Sequence, residues 1–224
     1  MIVLENLVKK FRSDDIETTA LNSINLKIEK GEFVGITGQS GCGKSTLLSI
    51  LGMLDAPDSG RITYAGKQIY PYKSKSNLYK YRRSVGFIFQ SFNLINSLSV
   101  KDNIALPLKY IGINRKARDA KALEIMEKLD IASRSNHKPI QLSGGQQQRV
   151  AIARALVTNP DIIFADEPTG NLDSTNTEQT LELLKKINDD GTTIVMVTHD
   201  KSQVRYLSRI IQMKDGSFSK ELEE

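Results

Sequence analysis

The chain has 224 residues, 39% of them hydrophobic and 25% charged, with a formal net charge of +5. That is enough to bury one sizeable α/β core with a smaller appended lobe, and too little for two such domains. No apolar run approaches the roughly 18 residues of a membrane span, and Met1-Ile2-Val3-Leu4-Glu5-Asn6 lacks the regions of a signal peptide, so the sequence reads as a soluble protein that stays where it is made. The single cysteine, Cys42, excludes an internal disulfide and fits a reducing cytosol.

Basic residues collect at Lys9-Lys10-Phe11-Arg12, Lys80-Tyr81-Arg82-Arg83 and Asn114-Arg115-Lys116-Ala117-Arg118. They read as solvated faces or as contacts for phosphates or an anionic membrane. A nucleic-acid partner is not expected, because the clusters sit on separate segments with no binding module around them.

The N-terminal part alternates short apolar strands, Ile2-Val3-Leu4 and Ile24-Asn25-Leu26-Lys27-Ile28, with turns, which predicts a β-rich flank. Phe11 in this flank is either a core aromatic or a ring that stacks on a planar base. Phe33-Val34-Gly35-Ile36-Thr37 then feeds Gly38-Gln39-Ser40-Gly41-Cys42-Gly43-Lys44-Ser45-Thr46, and Leu47-Leu48-Ser49-Ile50-Leu51 follows. Strand, glycine loop and helix in that order wrap backbone N–H groups around phosphate oxygens, with the helix dipole behind them. Lys44 is expected to reach the β- and γ-phosphates of a nucleotide, and the Ser45 hydroxyl to ligate Mg²⁺.

Asp55-Ala56-Pro57-Asp58-Ser59-Gly60 is a turn cluster, and a polar helical stretch runs from about Ser76 to Ser84. Val85-Gly86-Phe87-Ile88-Phe89 reads as a buried strand ending at Gln90, whose amide oxygen is placed to ligate Mg²⁺ or hold an attacking water. From about Val100 to Asp130 the pattern is helical. Ala117, Ala120, Leu123, Met126 and Leu129 suggest one amphipathic stripe, serving either packing or a docking surface.

Leu142-Ser143-Gly144-Gly145-Gln146 opens a strongly helical run to Leu156. Ser143 is a good N-cap, and the two glycines leave the first N–H groups bare, which weakens a helix but suits a phosphate. Ile162-Ile163-Phe164-Ala165 is a short apolar strand running into Asp166-Glu167-Pro168, two adjacent acids that need a cation or a proton to be tolerated. Asp166 suits the Mg²⁺ shell opposite Ser45, and Glu167 suits the general base for water. Thr169-Gly170-Asn171-Leu172-Asp173 is a turn, a helix follows with Leu181, Leu184 and Ile187 on one stripe, and the strand Thr193-Ile194-Val195-Met196-Val197 ends at Thr198-His199-Asp200. His199 is either a surface histidine or a donor to the γ-phosphate. An edge hairpin with an Asp215-Gly216 turn closes the chain.

The order of phosphate loop, Gln90, the 142–146 segment, Asp166-Glu167 and His199 resembles that of the ATP-binding subunits of ABC transporters, over essentially the whole chain. Phe89-Gln90-Ser91-Phe92-Asn93-Leu94 and Ala165-Asp166-Glu167-Pro168-Thr169-Gly170-Asn171-Leu172-Asp173 are similar to the branch of macrolide exporters, lipoprotein-release ATPases and antimicrobial-peptide-resistance systems. The resemblance implies an α/β fold: a P-loop NTPase core with a mostly parallel sheet, an N-terminal antiparallel β flank and an inserted helical subdomain. Residues 1–90 and 157–224 would form the core and flank, and about 91–156 the helical subdomain.

The resemblance also implies ATP and Mg²⁺ as cofactors, with Gln90, Glu167 and His199 catalytic and Ser45, Gln90 and Asp166 around the metal. Phe11 stands where a tyrosine is common, which keeps the adenine-stacking face. Cys42 stands in place of a serine, and a thiol reagent is expected to reach it when nucleotide is absent. Ser143, Gly144, Gly145, Gln146 and Asp173 would close a nucleotide held by a second ATPase subunit. The further partners implied are an integral membrane permease docking on the helical subdomain and the Gln90 region, with room for an extracytoplasmic adaptor. The chain would then lie in the cytoplasm, peripheral on the inner face of the membrane. The rival readings are a soluble ABC-type ATPase acting on nucleic acid or ribosomes, which calls for a coiled-coil insertion or tandem domains, and a phosphotransferase, which calls for an acceptor pocket.

Overall fold

The computed structural model describes residues 1–13, 16–72 and 75–223, so the last residue of the charged C-terminal tail lies outside it. Two sheets form. One has four antiparallel strands in the order β2-β1-β4-β5, from β1 (Ile2–Ser13), β2 (Ile16–Ile28), β4 (Ser59–Tyr64) and β5 (Lys67–Tyr70). The other has six strands in the order β10-β9-β3-β8-β7-β6, from β3 (Phe33–Thr37), β6 (Val85–Ile88), β7 (Ile162–Asp166), β8 (Thr193–Val197), β9 (Arg209–Lys214) and β10 (Ser217–Glu223). Every pairing in this second sheet is parallel except β9 with β10.

The apolar runs at β3, β7 and β8 are explained by cover on both faces, which removes the usual alternation with polar residues. Alternate residues feed opposite cores. Val34, Ile36, Ile162, Phe164, Val195 and Val197 pack with α1 (Lys44–Leu51) and the antiparallel flank, whereas Phe33, Ile163, Ala165, Ile194 and Met196 pack with the helices of the other face.

The flank is larger than the short strands expected from its apolar residues. β1 and β2 pair from Ile2 with Ile28 out to Ser13 with Ile16, with register shifts on the way. The outer part carries charge rather than apolar alternation: Lys10 and Arg12 both pair with Glu17, at 2.7 and 2.9 Å. Lys9 turns inward instead, its ammonium 2.9 Å from Asp55. Most of this first basic cluster is therefore matched by acids of the same chain.

The helical region from Val100 is two helices, α3 (Val100–Tyr110) and α4 (Arg115–Lys128), separated by Gly112 at φ 85°. The expected stripe is corrected as well. Ala122, Met126 and Leu129 are buried, whereas Leu123 is 39% exposed and Ala120 is exposed. A spacing of three falls behind the 3.6-residue turn at every step, so five such positions cannot share one face. Between β5 and β6 comes α2 (Lys75–Arg83), and beyond α4 lie α5 (Gly144–Leu156) and α6 (Ser174–Asp189), the latter burying Leu181, Leu184 and Ile187 as expected.

The parallel strands deliver their carboxyl ends to one edge of the sheet in the spatial order β3, β8, β7, β6. The chain just beyond each end carries, in the same order, Gly38, His199, Glu167 and Gln90, and this is the edge at which ligands of open α/β sheets collect. Among the described residues, no helix is long and apolar enough to cross a membrane.

Candidate active site

The loop after β3 is shaped by close backbone approach. Gly43 adopts φ 106° as the N-cap of α1, and a Cβ there would stand 2.3 Å from the Ala20 carbonyl oxygen. At Gly38 a Cβ would meet the Met213 carbonyl oxygen at 2.3 Å. No side chain caps α1, so its first N–H groups face the loop cavity, as an anion site requires. Lys44 is only 6% exposed, and its Nζ donates to the carbonyl oxygens of Gly38 and Gln39 at 2.9 and 2.8 Å. Those bonds hold the ammonium inside the cradle. Cys42 is 7% exposed with its Sγ 3.8 Å from that ammonium, so the expected reagent-accessible thiol is corrected to an enclosed one beneath the loop.

Ser45 Oγ donates to Asp166 Oδ1 at 3.1 Å, joining the end of the loop to the end of β7. Burial pushes the Asp166 carboxyl above the usual carboxylate range, with Ser45 opposing and the neighbouring Glu167 charge reinforcing the rise. A hydroxyl and a half-buried carboxylate facing one another form an all-oxygen donor set that fits Mg²⁺, which takes few protein ligands and fills its octahedron with water and phosphate oxygens.

Glu167 occupies φ 42°, rare for a residue with a side chain, and its carboxylate lies 3.1 Å from His199 Nδ1. Both line a cleft of about 860 Å³ together with Gln39, Ser40 and Lys44. Glu167 also lines a second cleft of about 320 Å³ on the other side of the loop, with Phe11, Ala20, Gly43, Lys44, Ser45 and Thr46. Phe11 is 48% exposed there, with Lys9 Nζ 5.2 Å from its ring centroid, so it is an open aromatic face rather than a core side chain. Gln90 is packed on the turn after Glu167. Its amide would lie 2.8 Å from a Cβ at Gly170, and its backbone oxygen accepts from Asn171 Nδ2 at 2.9 Å.

The 142–146 segment forms a complete capping box: Ser143 Oγ accepts from Gln146 N at 3.3 Å, and Ser143 N donates to Gln146 Oε1 at 3.1 Å. Gln146 thus has a capping part as well, in keeping with its place three residues after Ser143. The two glycines separate here. A Cβ at Gly145 would fall 2.0 Å from Asn176 Oδ1, which gives this glycine a packing reason, whereas one at Gly144 would stand at an ordinary 3.5 Å from Leu172. Asp173 caps α6, accepting from Asn176 N at 2.9 Å and Asn176 Nδ2 at 2.7 Å, and these bonds hold its carboxyl below the usual range. Neither cleft at the phosphate loop is lined by Ser143, Gly144, Gly145, Gln146 or Asp173.

Sequence reasoning missed the buried polar side chains beneath this edge. Gln148 is fully buried in α5, and Gln203 lies in the 3-10 turn Lys201–Tyr206 bonded to Thr169. A glutamine among other polar residues carries no sign of burial, so only the fold exposes these two.

A family model described as ABC transporter matches residues 21–170. The chain is 48% identical over 216 residues to an uncharacterized ABC transporter ATP-binding protein of Methanocaldococcus jannaschii, covering 96% of each. It is 44% identical over 216 residues to a macrolide export ATP-binding/permease protein of Hyphomonas neptunium, covering 96% of this chain and 34% of that one, so it spans about a third of that relative. A further Methanocaldococcus jannaschii ATP-binding cassette, solved as a dimer in a post-hydrolysis state bound to ADP and Pi, matches with a TM-score of 0.90 at 44% identity, covering 100% of this chain and 98% of the other. The chain belongs to the ABC transporter family. Within it, this is an ATP-hydrolysing cassette.

Proposed function

We propose that two copies of this chain close on two MgATP molecules and that the closure and hydrolysis drive a separate membrane permease. One observation carries the reading: the glycine start of α5 and the phosphate cradle at residues 38–46 are both built, yet among the described residues neither of the two clefts at the cradle is lined by that helix start. A second copy that supplies Ser143, Gly144, Gly145 and Gln146 across the interface would complete the cradle, with Asp173 at the same seam.

In this reading Lys44 releases the Gly38 and Gln39 carbonyl oxygens and turns to the β- and γ-phosphates. Ser45, Asp166 and Gln90 would hold Mg²⁺, which would supply charge neutralisation on the phosphate oxygens. Glu167 accepts a proton from the attacking water as general base, and His199 holds the γ-phosphate end of the site and orients Glu167 through its Nδ1 contact. Phe11 offers its open face to the adenine.

The helices α3 and α4, with the start of α5, form the lobe at about residues 91–156 on which the permease docks, together with the Gln90 loop. Similarity to the macrolide export ATP-binding/permease protein supports an export or extraction role on a drug, peptide or lipoprotein, with the cassette held at the cytoplasmic face of the membrane by its permease. The test is ATP turnover per chain as a function of protein concentration, over a range in which light scattering without nucleotide gives monomers. A shared site makes specific activity rise with concentration; a constant specific activity throughout that range would contradict it.

A further inference from the structure

We propose that Gln203 is a positioning residue for hydrolysis, holding the loop that carries His199 against the turn that carries Glu167. This rests on the assignment of Glu167 and His199 as the residues around the attacked phosphate.

Gln203 is 4% exposed, and its Nε2 donates to Thr169 Oγ1 at 3.0 Å and to Asp200 Oδ2 at 3.4 Å. Both partners belong to catalytic loops. Thr169, itself buried, lies two residues after Glu167 in a turn closed by Gly170 N donating to the Glu167 carbonyl oxygen at 3.0 Å. The Gln90 amide rests on that same Gly170. Asp200 follows His199, its backbone N donating to Thr198 Oγ1 at 3.1 Å and its carboxylate accepting from Ser202 N at 2.8 Å. With the 3.1 Å contact between His199 Nδ1 and Glu167 Oε1, the chain of contacts closes into a ring: Glu167, Thr169, Gln203, Asp200, His199 and back.

The ring matters most for His199, because Glu167 is only 22% exposed at its side chain whereas the histidine stands in the open. The His199 side chain is 67% exposed, so its position follows from its loop. Glu167 sits on a strained backbone, φ 42°, that persists only where neighbours enforce it. Displacing a catalytic group by about 1 Å can cost about 10²-fold in rate. Stability is only part of the reason for the glutamine: its Nε2 makes two hydrogen bonds, but its Oε1 is buried with no hydrogen-bond partner among the described residues. A buried unpaired carbonyl is unfavourable and offsets part of what those two bonds contribute.

The test uses the full chain and steady-state ATP hydrolysis, with melting of the nucleotide-free protein alongside. Gln203→Leu is expected to lower kcat about fivefold, the loss of one hydrogen bond's worth of positioning, while KM for ATP stays within about twofold; a small fall in Tm accompanies it, because Thr169 Oγ1 loses its donor. Thr169→Val should give the same loss, the double variant no further loss, and Thr169→Ser, which keeps the hydroxyl, wild-type kcat. Wild-type kcat in Gln203→Leu, a rise in KM for ATP as large as the fall in kcat, or additive losses in the double variant would each overturn the proposal. Glu167→Gln serves as the control: if it is inactive while Gln203→Leu is normal, only the positioning role fails, and if it turns over normally, the underlying assignment fails.

Discussion

Ser45 Oγ and Asp166 Oδ1 meet at 3.1 Å across 121 residues of sequence, so the phosphate loop and the β7 acid form one oxygen pair. Asp166 is half-buried and its carboxyl is pushed up by that burial, so its ionised form is disfavoured until a cation faces it. Asp166→Asn removes the charge at constant shape. It is expected to leave the Tm of the nucleotide-free protein unchanged or higher and to raise the Mg²⁺ concentration for half-maximal hydrolysis more than about tenfold. Magnesium titrations of ATPase rate, beside a melting curve, check both halves.

Lys44 donates to two loop carbonyl oxygens, which holds its ammonium inside the cradle. Lys44→Ala removes the only side chain of the loop that brings a positive charge to the phosphates. ATP affinity, measured by equilibrium titration, should fall at least about 100-fold, from the loss of charge-assisted hydrogen bonds to β- and γ-oxygens. Unchanged affinity would refute the phosphate-loop assignment.

Gly144 and Gly145 look equivalent in sequence and are not. A Cβ at Gly144 has room, at 3.5 Å from Leu172, and the residue is the first of α5, where the interior preference of about 1 kcal/mol for alanine over glycine applies only in part. Gly144→Ala is therefore expected to leave the Tm unchanged or raise it by less than about 2 °C while lowering ATP turnover at least about tenfold, because the added methyl stands where the facing subunit's phosphate arrives. ATP binding to the monomer should not change. A variant that is at least as stable and fully active would contradict the proposed capping from a second copy.

Asp173 anchors the start of α6 through Asn176. Asparagine caps helices as well as aspartate does, so Asp173→Asn should keep the Tm at pH 7 while Asp173→Ala lowers it by about 2–4 °C. The sign with pH follows from the lowered carboxyl: the wild-type advantage over alanine is complete above pH 3.8, the ordinary value, and is lost as pH falls through the depressed one. Melting curves of the three proteins from pH 7 down to pH 3 check this.

What could be read from the sequence was what local chemistry determines. The strand, glycine loop and helix around Lys44 announce themselves, because only glycine fits the left-handed backbone and close approach at Gly43. The apolar strands ending at Asp166 and Val197 do so as well, because strands covered on both faces leave no polar alternation. The outer half of the β1–β2 hairpin was illegible, since Lys10, Arg12 and Glu17 stabilise it by pairing with one another rather than by a buried face. The helix after Gly112 was read on the wrong face because a spacing of three imitates a stripe over two turns and then drifts off it. Gln203 and Thr169 were invisible for a different reason. Their bond spans 34 residues and exists only once the ends of β7 and β8 lie side by side.

The central claim, that one chain holds half of each hydrolytic site, is tested most directly by Glu167→Gln with saturating MgATP in multi-angle light scattering. Removing the general base while keeping the shape of its side chain should trap ATP at the interface, so the variant is expected to elute as a dimer with MgATP and as a monomer without nucleotide. A protein that binds ATP and remains strictly monomeric would contradict the account.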